Sequence, residues 1–88
     1  MRILTTPRFE RAIKRLYPLE KKALDKAVNL IASKPDLGEM KKGDLAGVRV
    51  HKYKHHSQRW LLAYEIKDNT LVSLGHGSHE NFYRDLKR

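Results

Sequence analysis

Apolar positions in the first part of the chain recur at the spacing of an α-helix. Thr6 and Pro7 supply a hydroxyl N-cap followed by proline at the first helical position, which together predict a helix start. The apolar face that follows has the spacing i, i+3, i+4, i+7 and consists of Phe9, Ala12, Ile13 and Leu16. Before this helix, Met1 to Thr5 reads as a short strand.

A second helix is predicted from about Leu19 to Ser33. The pair Tyr17-Pro18 separates it from the first, because the residue before a proline avoids the α region. Its apolar face is formed by Ala23, Leu24, Ala27, Val28, Leu30 and Ile31. Two adjacent amphipathic helices joined by a tight break form a hairpin that needs a flat apolar surface to cover.

The second half of the chain alternates with a period of two, which predicts strands. Lys34 to Gly43 reads as a loop. After it, strands are predicted at Val48 to Lys54, Trp60 to Ile66 and Leu71 to His76, with turns at 55–58 and 67–70. The turns are too short for a crossover, so the strands form an antiparallel meander.

These elements predict a single α+β domain over residues 1–88, in the order β-α-α-β-β-β with a short C-terminal helix. The helical hairpin is expected on one face of the sheet, with the other face left open. In the first meander strand, Val48 and Val50 point to one side, while Arg49, His51 and Tyr53 point to the other. If the valines face the helices, a basic and aromatic row faces outward. The sequence leaves this choice of face undecided.

Charge is the strongest global property of the sequence. Nineteen Lys and Arg residues against ten acids give a formal net charge of +9 and a pI near 10.0. A surplus of this size favours a polyanionic partner, such as nucleic acid, the ribosome or an acidic protein. Cysteine is absent, which excludes disulfides and thiolate metal sites. No apolar run resembles a signal peptide or a membrane span, so a cytoplasmic location is expected.

The last fifteen residues, 74–88, carry an unusual density of titratable groups. The predicted strand ends at His76. After it come His79, Glu80, Tyr83 and several basic residues. Loops that leave a rigid scaffold often carry function. The histidines lack the carboxylate–histidine spacing of a metal site. We therefore expect neither a metal nor another cofactor.

With this order of elements, the chain resembles the RelE/ParE superfamily of toxins from bacterial type II toxin–antitoxin modules. The similarity spans essentially the whole length. It is carried by the helical hairpin, by Leu45-Ala46-Gly47 at the entry to a strand, by the paired strands 60–66 and 71–75, and by the ending 77–88.

The resemblance implies one of two activities. RelE-like members cut mRNA, mostly in the ribosomal decoding site, and ParE-like members poison DNA gyrase. We expect a ribosome-dependent mRNA endonuclease that blocks translation; the alternative is a non-catalytic gyrase inhibitor. A third interpretation is a basic module that only binds RNA or DNA. The resemblance also implies a cognate antitoxin, expected to present an acidic or amphipathic segment.

The resemblance also suggests site residues. Tyr83 matches the C-terminal tyrosine of RelE-like toxins, His79 falls near a basic position before it, and Lys52 and Lys54 fall where a strand carries lysines. We expect these four residues to be catalytic. The arginine that often occurs in the next strand of RelE-like toxins is replaced here by Leu61, with Arg59 two residues earlier. This departure favours the gyrase alternative or an altered cut. Nucleic-acid contacts are expected from Arg49, His51, Arg59, His76, Arg84 and Lys87.

Overall fold

A computed structural model describes residues 1–78 and Phe82. The elements, in chain order, are β1 (Arg2–Thr5), α1 (Pro7–Ile13), α2 (Pro18–Ser33), β2 (Glu39–Met40), a 3₁₀ turn (Gly43–Leu45), β3 (Arg49–His55), β4 (Gln58–Lys67) and β5 (Thr70–Ser78). The predicted α+β fold is confirmed. The predicted C-terminal helix and the candidate residues His79, Tyr83, Arg84 and Lys87 lie outside the described residues.

The start of α1 has the capping chemistry that the sequence predicted, and α2 begins one residue earlier than predicted, at Pro18. Thr6 Oγ1 accepts the backbone N–H of Phe9 at 3.2 Å and donates to the carbonyl of Ser73 at 3.1 Å. One side chain therefore caps α1 and ties it to β5. At the start of α2, the carboxylate of Glu20 accepts the backbone N–H of Tyr17 at 2.9 Å, which satisfies a donor that the helix itself leaves unpaired.

The five strands form one sheet in the order β1-β5-β4-β3-β2. Strands β3, β4 and β5 pair antiparallel as the predicted meander, and β1 pairs parallel to β5. The β4–β5 turn has positive φ at Asp68 (50°) and Asn69 (57°), as the tight hairpin turn of a right-handed ribbon requires. Strand β2 is a finding beyond the prediction, which assigned Glu39 and Met40 to a loop. Two residues are too few for a periodic signal.

The helices cover one face of the sheet. The main core beneath them consists of Phe9, Leu24, Ala27, Ile31, Leu62, Tyr64 and Leu71. Tyr64 is fully buried, and its hydroxyl donates to the carbonyl of Pro35 at 2.8 Å and accepts the N–H of Gly38 at 2.7 Å. A Cβ at Gly38 would lie 2.7 Å from the Tyr64 ring. The loop after α2 is thus held by a glycine packed on a buried phenol.

The opposite face of the sheet is not entirely open, contrary to expectation. A smaller apolar cluster there contains Val50, Leu61, Ala63 and Phe82, and all four are buried. Val50 therefore faces away from the helices, and its strand neighbours His51 and Tyr53 face toward them. Both sides of β4 are buried, as predicted for a central strand.

A β-bulge decides which residues of β5 face the helices. Ala63 pairs with Gly75 and Tyr64 pairs with Ser73, so Leu74 is an extra residue in β5. Because side chains alternate along a strand, the extra residue reverses the alternation beyond it. His76, opposite Leu62, therefore lies on the helix side.

Candidate functional site

The structure divides the described candidate residues between the two faces of the sheet. Register pairs place Arg49, His51, Tyr53, Trp60 and His76 on the helix side. Alternation along β3 and β4 places Lys52, Lys54 and Arg59 on the opposite side, and all three are exposed. We call Lys52, Lys54 and Arg59 the basic strip, and His51, Tyr53, Trp60 and His76 the ring cluster.

The basic strip concentrates positive charge on a small area. Lys54 lies directly opposite Arg59 in the β3–β4 register, and Lys52 lies two residues from Lys54 on the same face. Directly opposed residues in an antiparallel pair have Cβ atoms about 4.5–5.5 Å apart. Within the described chain, none of these cations has a carboxylate within ion-pair distance. The strip borders the apolar cluster that contains Phe82, because Lys52 is the register partner of Leu61. Phe82 directly precedes the candidate Tyr83 in the sequence.

The ring cluster, in contrast to the exposed basic strip, is buried or half-buried. The Trp60 and His76 rings stack with centroids 4.9 Å apart, and the His51 and Tyr53 rings stack at 6.1 Å. The Tyr53 hydroxyl is hydrogen-bonded to His76 Nε2 at 2.6 Å, which joins the two pairs. Such stacking and bonding order the rings between the sheet and the helices.

Burial controls the charge of these rings. Desolvation lowers the pKa of His76 to about 4 and also lowers the pKa of His51, because burial disfavours a charged imidazole. Burial raises the pKa of Tyr53, and the negative charge of Glu20 raises it further. At neutral pH, His76 and Tyr53 are therefore both uncharged, and neither supplies a cation for a phosphate.

Arg49 has a structural contact that the sequence did not indicate. Its guanidinium donates to the carbonyl of Gly38 at 2.8 Å and to that of Asp36 at 3.2 Å. These bonds hold the loop that also packs on Tyr64. The prediction that Arg49, His51 and His76 contact nucleic acid stays a prediction, as do those for the candidates outside the described residues.

Two further observations on the described residues concern metal sites and membrane-spanning helices. Among residues 1–78 and Phe82, no cluster of three or more His, Asp or Glu side chains is arranged to hold a metal ion. None of the helices in this part of the chain is both long and apolar enough to cross a membrane.

Comparisons with known proteins identify a family that has this fold. A family model described as "ParE-like toxin of type II bacterial toxin-antitoxin system" matches residues 3–87. A search of curated proteins gave no match. The fold and the matched span define a toxin of the RelE/ParE superfamily. The chain belongs to the ParE-like toxins of type II bacterial toxin–antitoxin systems.

Solved structures show the same fold. The RelBE2 toxin–antitoxin complex of Mycobacterium tuberculosis matches with a TM-score of 0.74 and 21% identity, over 89% of this chain and 96% of that one. The intact RelBE complex of E. coli matches with a TM-score of 0.69 and 17% identity, over 86% and 93%. The conserved hypothetical protein HP0892 of Helicobacter pylori has 30% identity and a TM-score of 0.63, over 91% and 96%.

Proposed function

We propose that this toxin is a ribosome-dependent mRNA endonuclease that blocks translation. The observation that carries the proposal is the basic strip. Lys52, Lys54 and Arg59 are exposed together on one face of the β3–β4 hairpin. None of them has a described carboxylate within ion-pair distance, although the charge of Lys52 helps to lower the pKa of Glu39. Preorganised cations of this kind stabilise the charge that develops on a phosphate during cleavage.

The chemistry follows from this arrangement. In cleavage by transesterification, the 2′-oxygen attacks the adjacent phosphorus, the bond from phosphorus to the 5′-oxygen breaks, and the products are a 2′,3′-cyclic phosphate and a 5′-hydroxyl. A base removes the 2′-proton, and an acid protonates the leaving 5′-oxygen. We assign the base role to His79 and proton donation or base stacking to Tyr83. Lys52 and Lys54 stabilise the phosphorane.

Two further observations support the proposal. His76, the other histidine near the C-terminus, is buried and hydrogen-bonded to Tyr53, which leaves His79 as the better base. The fold is also shared with the isolated E. coli RelE toxin and with a YafQ variant from E. coli, at TM-scores of 0.68 and 0.62.

Inhibition of DNA gyrase remains the second candidate, and a specific observation favours it. Leu61 stands where many RelE-like toxins carry a strand arginine, and it is fully buried against Val50, Ala63 and Phe82. A cation at that point is therefore missing from the basic strip. Arg59, the exposed register partner of Lys54, is the described cation best placed to replace it.

The deciding experiment adds the purified protein to ribosomes programmed with mRNA and maps new 5′ ends by primer extension. We expect cuts that require ribosomes and that disappear in His79→Ala and Tyr83→Ala variants with unchanged circular dichroism. Cuts that persist at full rate in both folded variants would refute the site assignment. Absence of cuts from a protein that still arrests growth, together with inhibited supercoiling by purified gyrase, would establish the gyrase alternative.

For the antitoxin, we propose an acidic amphipathic segment that binds the groove between α2 and β3. The groove has a volume of about 470 Å³ and combines apolar residues of α2, including Leu19 and Leu30, with Lys22 and Lys26. Both leucines are exposed, at 60% and 44%. Salt should slow association with the antitoxin, because charge complementarity acts mainly on the association rate. An association rate that is independent of salt would refute the electrostatic part.

A further inference from the structure

A cavity of about 450 Å³ lies between α1 and β5, on the helix side of the sheet. It is lined by Arg11, Ala12, Lys14, Arg15 and His76. The three basic residues are exposed, and within the described chain none of them pairs with a carboxylate. The cavity is thus walled by three positive charges around one buried imidazole.

The imidazole has an unused polar atom. His76 is only 8% exposed, and its Nδ1 is buried without a hydrogen-bond partner among the described residues. A buried polar nitrogen without a partner costs about 1–3 kcal/mol. Such an atom in a native structure calls for an explanation, and a ligand that binds in the adjacent cavity is one.

The bond on the other ring nitrogen indicates what Nδ1 can do. If Tyr53 donates to Nε2, then the proton of the neutral imidazole resides on Nδ1, and Nδ1–H is the single unsatisfied group. If Nε2 donated instead, both the Tyr53 proton and the Nδ1 lone pair would lack described partners. The first arrangement leaves fewer groups unsatisfied. Nδ1–H is then a donor on a ring that lines the cavity together with Arg11, Lys14 and Arg15.

We propose that this cavity is a second phosphate site, in which Arg11, Lys14, Arg15 and His76 bind a phosphate group of RNA other than the one that is cleaved. Among the described residues, the polar side chains that line the cavity offer donors: two guanidinium groups, an ammonium and the N–H of a buried imidazole. Arginine matches a phosphate through two parallel hydrogen bonds. The cavity and the basic strip lie on opposite sides of the sheet, so the two sites contact different phosphates.

The identification of RNA as the source of the phosphate rests on the proposed function. The cavity and its donors are observed independently of that function. An RNA that contacts both faces would be held around the edge of the sheet. The phosphate contacts would add affinity without sequence preference.

The test is an NMR titration of the ¹⁵N-labelled full-length protein with inorganic phosphate and, separately, with a short single-stranded RNA. The free protein should show the Nδ1–H tautomer of His76. Both ligands should shift the His76 ring resonances and the Arg11–Arg15 amides. Unchanged His76 resonances in both titrations would overturn the site. A response to inorganic phosphate alone would overturn the assignment to RNA.

Variants separate this site from the basic strip. In Arg11→Gln/Arg15→Gln, RNA binding near physiological salt should weaken about tenfold, and the salt dependence of log K should lose about 0.7 in slope, the contribution of one single-strand phosphate contact. The matched control, Lys34→Gln/Lys42→Gln, removes the same charge from exposed positions outside the cavity. Equal losses in both would overturn the site.

The two proposals fail in different ways. RNA that shifts signals of Lys52 and Lys54 but leaves His76 unchanged would overturn the second site and leave the nuclease proposal intact. Shifts at His76 with RNA, in a protein that cuts no mRNA on ribosomes, would overturn the nuclease and retain the phosphate site.

Discussion

The two faces of the sheet carry titratable side chains in opposite states. On the helix side, the ring cluster is packed beneath the helices, where burial lowers the pKa of His76 to about 4 and raises the pKa of Tyr53, so both are uncharged at neutral pH. On the opposite side, Lys52, Lys54 and Arg59 are exposed. The same strand, β3, supplies residues to both. The difference teaches that neighbouring residues of one strand can have unrelated roles, because alternation places one in the core and the next in solvent.

The largest effect is expected from removal of charge on the exposed face. Lys52→Gln/Lys54→Gln should reduce ribosome-dependent cleavage by about 100-fold or more, the cost of losing a donor that stabilises a transition-state charge. Thermal stability should stay nearly constant, because exposed substitutions usually change it by less than about 0.5 kcal/mol. Cleavage rates and melting curves check both parts. If cleavage matches that of Lys34→Gln/Lys42→Gln, the basic strip has no catalytic role.

On the helix side, the main effects should be on stability. Tyr64→Phe leaves the buried N–H of Gly38 and the carbonyl of Pro35 without the phenol that pairs them, which should lower the free energy of unfolding by about 2–3 kcal/mol. Urea denaturation measures this. Tyr17, which is 74% exposed, provides the control: Tyr17→Phe should change the free energy by less than about 0.5 kcal/mol. Equal effects would contradict the assigned role of the Tyr64 hydroxyl.

Acid should weaken the helix side selectively. The pKa of His76 falls from the ordinary 6.5 to about 4 on folding, so the unfolded chain binds more protons between these pH values, and stability falls as the pH drops through that window. From pH 7.5 to pH 5, the expected loss is about 2 kcal/mol. Urea denaturation at both pH values measures it. His76→Phe should remove most of this slope while the shift at His51, which has the same sign, remains.

The smallest effect is expected at the hydrogen bond inside the ring cluster. Tyr53→Phe removes the 2.6 Å contact with His76 Nε2 but keeps the stacked rings, so the free energy of unfolding should fall by about 1 kcal/mol. The NMR signals of His76 should also show a mixture of tautomers. An unchanged tautomer would mean that Tyr53 does not determine the position of the proton.

The sequence by itself determined the two helices and four of the five strands of the described chain. Thr6 and Pro7 specify the start of α1 through local capping, and the spacing of Leu24, Ala27 and Ile31 gives α2 a buried face. Period-two alternation and short turns gave the meander. These signals are local, so they can be read without the rest of the chain. The short strand Glu39–Met40 was not predicted, because its pairing with β3 is set by tertiary contacts.

Only the tertiary structure decided which residues face one another. Alternation groups Arg49, His51 and Tyr53 but cannot say whether that group is inside or outside. The answer came from packing of Val50 against Phe82, two residues far apart in the sequence. The bulge at Leu74 then placed His76 with Tyr53 instead of beside Lys52 and Lys54. A single extra residue reverses a strand's faces, and no local pattern in the sequence marks where it occurs.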